Sequence, residues 1–339
     1  MNTTQVKQLK ALLAKAKNII IVPHKNPDGD AIGSTLGLQR FLASQGHDAQ
    51  IIVPNDFPKF LKWIPGSKDI LIFEYQQAHC KSLIENADLI FTLDFNHFSR
   101  TGQQMEALLT NAKAKFVMID HHQQPADYAD ITYSDTSMSS TCEMVYNVVE
   151  AFNAVALISP EMATSLYTGI LTDTGSFKYR STTSRTHRVI ASLLDQGAEG
   201  TTINQNIFDN NSPSRLHLLG TALNNLVILQ EYRTAFITMT QEELDKHNYT
   251  KGDTEGFVNY GLTLEGIIFA VIFIENKEEG IIKISFRSVG DFSVNQFARK
   301  HFNGGGHDNA AGGRSDDSME ATVTKFKKLL EAYKTALHA

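Results

Sequence analysis

The segment NIIIVPHKNPDGDAIGS, Asn18 to Ser34, decides the fold of the first half of the chain. Asn18 to Val22 is a β-branched run suited to a buried strand. Pro27 and Gly29 mark a tight turn. From Asp30 to Ser44 the spacing is helical, with apolar Ile32, Leu36, Leu38 and Leu42. In open α/β sheets, ligands bind at the carboxyl ends of the strands, and His24, Asp28 and Asp30 stand at that end. Taken alone, the segment also fits an ordinary strand-to-helix loop in which Asp30 caps the helix.

Working outward, Ala49 to Val53, Ile70 to Phe73, Leu89 to Leu93 and Phe116 to Ile119 read as further strands separated by helical stretches. The expected fold class is therefore α/β with a parallel sheet. Helical patterns follow at Ser139 to Phe152, at Pro160 to Leu171 and at Arg185 to Gln196, with Pro160 suited to a first helical turn. The polar stretch TTINQNIFDNNSPSR begins at Thr201, and 201–219 is the expected connection between a domain at 1–200 and a smaller α/β, mixed-sheet domain at 220–339. In that second domain Thr234 to Met239, Ile267 to Glu275 and Ile281 to Arg287 read as strands, the last two joined by a hairpin at Asn276 to Gly280. Thr240 and Glu243 form a capping box. Helices are expected at Val294 to Phe302 and from Met319 to Leu337.

A length of 339 residues suits two domains. A net charge of −6 excludes an overall basic field that draws in long nucleic acid, so any nucleic-acid chemistry must use a local site or a short substrate. Cys80 and Cys142 are the only cysteines and no CxxC occurs. A disulfide framework and a cysteine zinc site are excluded, and two buried free thiols are expected. There is no run of roughly 18 apolar residues and no secretory pattern at the N-terminus. A cytoplasmic protein without a membrane segment is the expectation.

The chemistry is concentrated at element ends. The strand Leu89 to Leu93 ends in Asp94, the strand Phe116 to Ile119 in Asp120, His121 and His122, and the helix from Pro160 in Asp173. Acids and imidazoles at successive strand ends are hard to attribute to solvated loops. Aspartates with imidazoles suit Mn²⁺ or Mg²⁺ better than structural zinc, which prefers thiolates. A carboxylate such as Asp94 can bridge two ions about 3.5–4 Å apart. Ser139, Ser140 and Thr141 before a helical run read first as an N-cap, although a helix N-terminus there can also meet an anion.

These motifs are similar to those of the DHH phosphoesterase superfamily, and the chain resembles it along essentially its whole length. The shared motifs are His24 to Ser34, the segment DFNHFSRTG from Asp94 to Gly102, the triplet at 120–122 and the Asp173-centred turn. In the second half they are Arg287 with Ser288 and the stretch GGGHDNAAGG from Gly304 to Gly313. The resemblance is nearest to the short nanoRNase (oligoribonuclease) type, which also acts as a phosphatase on 3′-phosphoadenosine 5′-phosphate. It implies a DHH metal-binding domain followed by a DHH-associated substrate domain. It also implies two divalent ions, Mn²⁺ or Mg²⁺, one held by His24, Asp28 and Asp94 and the other by Asp30, Asp94, His121 and Asp173. By the same resemblance His122 faces the phosphate and Asp120 orients an imidazole. Arg287, Ser288, Gly304, Gly305, Gly306 and His307 bind substrate, and Asp308 stands where many relatives carry a basic residue.

The implied substrates are short oligoribonucleotides and small phosphonucleotides rather than long nucleic acid, and self-association as a homodimer is left open. A guanidinium at the end of a strand can grip a phosphate with two parallel hydrogen bonds, and glycine-rich backbone can present N–H groups to an anion. Three alternatives stay open. They are an inorganic pyrophosphatase or exopolyphosphatase, a phosphodiesterase of cyclic dinucleotides or their linear products, and a nucleotide-binding sensor without metal.

Overall fold

The β-branched run Ile19 to Val22 is buried throughout and divides its side chains between two apolar clusters: Ile19 and Ile21 face one, Ile20 and Val22 the other. A strand apolar on both faces needs cover on both faces, which is the arrangement of a parallel sheet between helical layers. The structure, a computed structural model, describes residues 1–338. Its contacts divide the chain into two units, Met1–Asn210 and Asn211–Ala339.

In the first unit helix α1 (Thr3–Leu13) precedes strand β1 (Ile19–Pro23). There follow α2 (Gly29–Ser44), β2 (Ala49–Val53), β3 (Leu71–Ile72), α3 (Gln77–Glu85), β4 (Leu89–Leu93), α4 (Gln103–Asn111), β5 (Lys115–Asp120), β6 (Ile131–Ser134), α5 (Thr141–Ala151), α6 (Pro160–Asp173), α7 (Ser184–Asp195) and α8 (Gly200–Phe208). The six strands pair in the order β3-β2-β1-β4-β5-β6, all parallel. The order reverses between β1 and β4, so the crevice beyond their carboxyl ends lies at the topological switch point. The expected strand at Ile70 to Phe73 shrinks to Leu71–Ile72, and β6 is a strand the pattern did not suggest, because of its four residues only Ile131 is fully buried.

Helices α2 and α6 meet at unusually small residues. A Cβ at Gly33 would lie 2.5 Å from the Ser165 carbonyl oxygen, and those at Gly29 and Gly37 would run into Thr172 and Leu166. The approach places the first turn of α2 beside the last turn of α6, where Asp30 and Asp173 stand.

The second unit contains α9 (Pro213–Asn224), β7 (Val227–Leu229), β8 (Thr234–Met239), α10 (Gln241–Lys246), β9 (Phe269–Asn276), β10 (Ile281–Ser288), α11 (Val294–His301), β11 (Gly305–His307), β12 (Ala310–Ser315) and α12 (Met319–His338). Its sheet runs β11-β12-β10-β9-β8-β7 and is mixed, β8 and β9 being the parallel pair. Phe236, Phe269, Phe273 and Phe286 pack one face against Phe297, Phe302 and Phe326, while Ile237, Ala270 and Ile272 pack the other against Leu218, Leu244 and Phe257. The Thr240–Glu243 capping box forms as expected.

Two stretches have more regular structure than their composition suggests, the first of them containing the division between the units. The polar stretch 201–219 is helical for most of its length, in α8 and α9, because Ile203 and Leu218 give each helix a buried anchor. The glycine-rich stretch 304–313 is a β-hairpin, His307 pairing with Ala310 across Asp308 and Asn309. Its glycines serve strand packing: Gly306 has φ +149°, and a Cβ there would lie 2.5 Å from the Ala310 carbonyl oxygen.

Gly33→Ala is expected to cost about 1–3 kcal/mol, as overpacking against backbone does. Gly220→Ala, in α9 with open space around it, should add roughly 0.5–1 kcal/mol. Urea denaturation of both variants checks this, and an unchanged midpoint for Gly33→Ala would contradict the close approach of α2 and α6.

Candidate functional site

At the end of β1, His24 is 7% exposed and donates its Nδ1 hydrogen to the Lys25 carbonyl oxygen at 2.8 Å. That bond leaves Nε2 for the carboxylates, 3.4 Å from Asp94 Oδ2 and 3.8 Å from Asp28 Oδ2. Asp28, rather than Asp30, caps α2: its Oδ1 accepts the N–H groups of Asp30 at 3.1 Å and Ala31 at 3.0 Å. Between His24 and Asp28, Asn26 takes φ +57° and is pinned by Asn55, which accepts its N–H at 2.7 Å and donates to its side chain at 2.9 Å. Asn55 was not singled out in the sequence. It lies two residues beyond β2, at the same edge of the sheet, and that position was the available signal.

Asp30 sits inside the first turn of α2, 1% exposed, and reaches the N-terminus of α5. Its Oδ2 accepts the Thr141 N–H at 2.6 Å and its Oδ1 the Cys142 N–H at 2.8 Å. Ser140 caps α5 as expected, and the anion that meets this helix end is the protein's own carboxylate. Cys142 packs against Asp30 from behind, and both cysteines are free and buried.

Asp94, 2% exposed, follows β4 with φ +64° and accepts the Thr141 hydroxyl at 3.0 Å through Oδ1. Left-handed backbone of this kind clusters at functional positions. His121 donates Nδ1–H to the Met138 carbonyl oxygen at 3.2 Å, and its Nε2 lies 3.3 Å from Asp173 Oδ2, 3.5 Å from Asp94 Oδ1 and 3.8 Å from Asp30 Oδ2. His122 donates Nδ1–H to Asp120 Oδ1 at 2.7 Å. Asp120 is fully buried, so that bond sets both the ring orientation and the tautomer of His122.

The residues expected to hold metal thus converge. His24, Asp28 and Asp94 each offer a ligand atom within 4.8 Å of the others, as do Asp30, Asp94 and His121, so Asp94 belongs to both groups. Asp173 joins the second group through His121. The donor set is carboxylate-rich with two imidazole nitrogens, which fits hard divalent cations such as Mn²⁺ and Mg²⁺.

The electrostatics agree. Burial works against an imidazolium at His24, yet the hydrogen bond to Asp94 and the charges of Asp28 and Asp94 outweigh it and raise its pKa from 6.5 to about 9. His121 is likewise raised, burial being overcome by Asp173, Asp94 and Asp30. Burial also opposes charge on Asp94, but His121 and His24 hold it well below the ordinary carboxylate range. Burial and the charges of Asp94 and Asp173 push Asp30 up. The crowded carboxylates favour positive charge on His24 and His121, which is the demand a metal ion meets.

In the second unit, Arg287 is half-buried near the end of β10, with Nη1 donating to the Phe286 carbonyl oxygen at 3.0 Å and a buried Nε that has no hydrogen-bond partner. Ser288 donates its hydroxyl to the Phe292 carbonyl oxygen at 2.6 Å and accepts from Asn309 at 2.8 Å, so its hydroxyl ties the strand end to the hairpin turn. Gly304 leads into β11, Gly305, Gly306 and His307 form that strand, and Asp308 bonds Ser293.

Residues 18–170 match the DHH family, N-terminal domain, and residues 232–339 match the DHHA1 domain. The bifunctional oligoribonuclease and PAP phosphatase NrnA of Thermus thermophilus is 32% identical over 295 residues, which are 87% of this chain and 83% of that protein. The crystal structure of an exopolyphosphatase-related protein from Bacteroides fragilis superposes with a TM-score of 0.95 at 42% identity, covering 100% of this chain and 98% of that one. RecJ of Thermus thermophilus, solved in complex with Mn²⁺, shares the fold at a TM-score of 0.54 and 17% identity, covering 99% of this chain and 55% of that one.

A metal ligated by His24 would require the neutral imidazole, so its binding would expel the proton that the carboxylates hold on His24 up to about pH 9. Mn²⁺ affinity is expected to climb as pH rises from 6.5 towards about 9, with proton release on binding. Calorimetry in buffers of different ionisation enthalpy measures both. A pH-independent affinity without proton release would contradict the charge state assigned to His24.

Proposed function

The chain belongs to the DHH family, its DHH domain followed by a DHHA1 domain, and from that membership we propose that it cleaves short oligoribonucleotides to mononucleotides and converts 3′-phosphoadenosine 5′-phosphate to AMP. The observation that carries the reading is the convergence of His24, Asp28, Asp30 and His121 on Asp94 as a shared carboxylate, in a chain 32% identical to an oligoribonuclease and PAP phosphatase. Among the described residues no helix is long and apolar enough to cross a membrane.

In this reading His24, Asp28 and Asp94 hold one divalent ion, and Asp30, Asp94, His121 and Asp173 hold a second, with Mn²⁺ the preferred metal. Ions bound there would neutralise phosphoryl oxygens and acidify water near neutral pH. The protein does the rest by position. The Nδ1 bonds of His24 and His121 to main-chain carbonyls keep Nε2 turned to the carboxylates. Water attacks phosphorus in line, the P–O bond to the departing nucleoside breaks, and the departing oxygen takes a proton. His122, its Nδ1–H held by Asp120, faces the phosphate, and its Nε2 takes the proton given up by the attacking water and passes it to that oxygen. Arg287 grips a terminal phosphate of the substrate, a role that its half-buried guanidinium with an unpartnered Nε supports. His307 contacts the base or phosphate of the same substrate end. The net charge of −6 suits very short substrates over long RNA.

A second reading, hydrolysis of pyrophosphate or polyphosphate, has in its favour the exopolyphosphatase-related protein that is 42% identical. Against it stands the substrate motif, which offers Arg287 and a glycine–histidine strand where a base-free, highly charged substrate calls for a basic cluster.

Turnover of 3′-phosphoadenosine 5′-phosphate, a 5′-phosphorylated dinucleotide, a long RNA and pyrophosphate with Mn²⁺ separates these readings. The two small nucleotides are expected to be the best substrates, and pyrophosphate as the best substrate would overturn the proposal in favour of the second reading. Asp94→Ala should abolish turnover. Arg287→Ala should raise KM about 10–100-fold with little change in kcat, in keeping with roughly 1.5–3 kcal/mol for hydrogen bonds to a charged group. An active Asp94→Ala enzyme would sink the metal assignment.

A further inference from the structure

Glu143 is a carboxylate that the chemistry described above does not use, and it is 2% exposed. It lies in the first turn of α5, its N–H donating to the cap Ser140 at 3.0 Å. Its Oε2 accepts two hydroxyls, those of Ser139 and of Thr186, the latter at 3.0 Å. Thr186 is itself part of the Thr183 capping box that opens α7. A buried carboxylate is costly unless its oxygens are bonded, so this one is retained for what it holds. What it holds is the turn from Ser139 to Thr141.

That turn is the surface on which the metal-binding carboxylates rest. The Thr141 and Cys142 amides bond the two oxygens of Asp30, and the Thr141 hydroxyl bonds Asp94. If the turn shifts, Asp30 loses amide donors while staying buried, and Asp94 loses a bond on the side facing His121. We propose that Glu143 is a positioning residue of the metal centre: through Ser139 and Thr186 it locks the Ser139–Thr141 turn so that its donors meet Asp30 and Asp94. The proposal rests on the reading that Asp30 and Asp94 hold divalent cations.

Because both hydroxyls share a single oxygen of Glu143, the amide oxygen of glutamine can receive them equally well, whereas alanine receives neither. The test is Mn²⁺ titration calorimetry on the full chain and its Glu143→Gln, Glu143→Ala and Thr186→Val variants, with melting of each metal-free protein and kinetics on a dinucleotide. Glu143→Ala and Thr186→Val should bind Mn²⁺ about 10–100-fold more weakly, the range typical for partners that orient metal ligands. Glu143→Gln should bind as the parent does. At saturating Mn²⁺ the weakened variants should regain kcat with KM unchanged.

A Glu143→Ala protein that melts lower yet binds Mn²⁺ as tightly as the parent has lost only a structural brace, and the proposal falls. Should Glu143→Ala fail to fold, Thr186→Val carries the test, and unchanged Mn²⁺ affinity there overturns the proposal equally. A parent chain that binds no divalent cation overturns the metal-centre reading and this proposal together, whereas a binding parent with unaffected variants overturns this proposal alone.

Discussion

The structure of the first unit turns on one buried acidic side chain. Asp30 has almost no access to water, and transferring an unpaired carboxylate into such surroundings is prohibitive unless its oxygens are bonded. The N-terminus of α5 provides two amides and the positive end of a helix dipole. For that contact to exist, α2 must lie against α5 and α6 closely enough for a side chain as short as aspartate to bridge them. The glycines of α2 allow the approach, and Gly169 extends it on the α6 side, where a Cβ would run into Cys142. Packing and electrostatics are thus one constraint: bulkier residues at the helix crossing would pull the carboxylate away from the amides that make it tolerable.

The sheet contributes the remaining charges by topology. Because the strand order reverses between β1 and β4, the chain leaving each turns to opposite sides and opens a crevice. His24 and Asp94 flank that crevice, and the 120–122 triplet comes from β5, the next strand along. Asp173 arrives from the end of a helix instead, carried in by the α2–α6 contact. Elements far apart in sequence thereby gather mutually repelling carboxylates, and the imidazoles between them are drawn towards protonation in compensation. The fold alone gathers these donors from separate elements into one place.

Much of this was legible in the sequence because strand ends are marked by abrupt changes from aliphatic to polar residues. Asn18 to Val22, Leu89 to Leu93 and Phe116 to Ile119 each gave such a mark, and each is followed by residues that the structure brings together. What was not legible depends on contacts distant in sequence. The role of Asp28 as the cap of α2, with Asp30 freed to reach α5, cannot be told from two acids one residue apart. Asn55 and Glu143 look like ordinary polar residues until Asn26 and Ser139 are seen beside them. The stretch 304–313 does not read as strand because glycine is rare in strands, and only the packing of Gly313 against Phe286 and Phe302 shows why β12 needs it. The helices α8 and α9 were masked by asparagine, serine and threonine on their exposed faces.

The left-handed backbone at Asp94 carries a consequence for inheritance. Outside glycine, asparagine, aspartate and histidine are enriched at positive φ because their short polar side chains tolerate that conformation. The shared place between two groups of donors, for its part, asks for two oxygens and a negative charge. Aspartate satisfies both the local stereochemistry and the charge. Glutamate, the usual conservative exchange, is less favoured on the first count, and asparagine lacks the charge. Backbone shape therefore limits exchange at this position alongside charge.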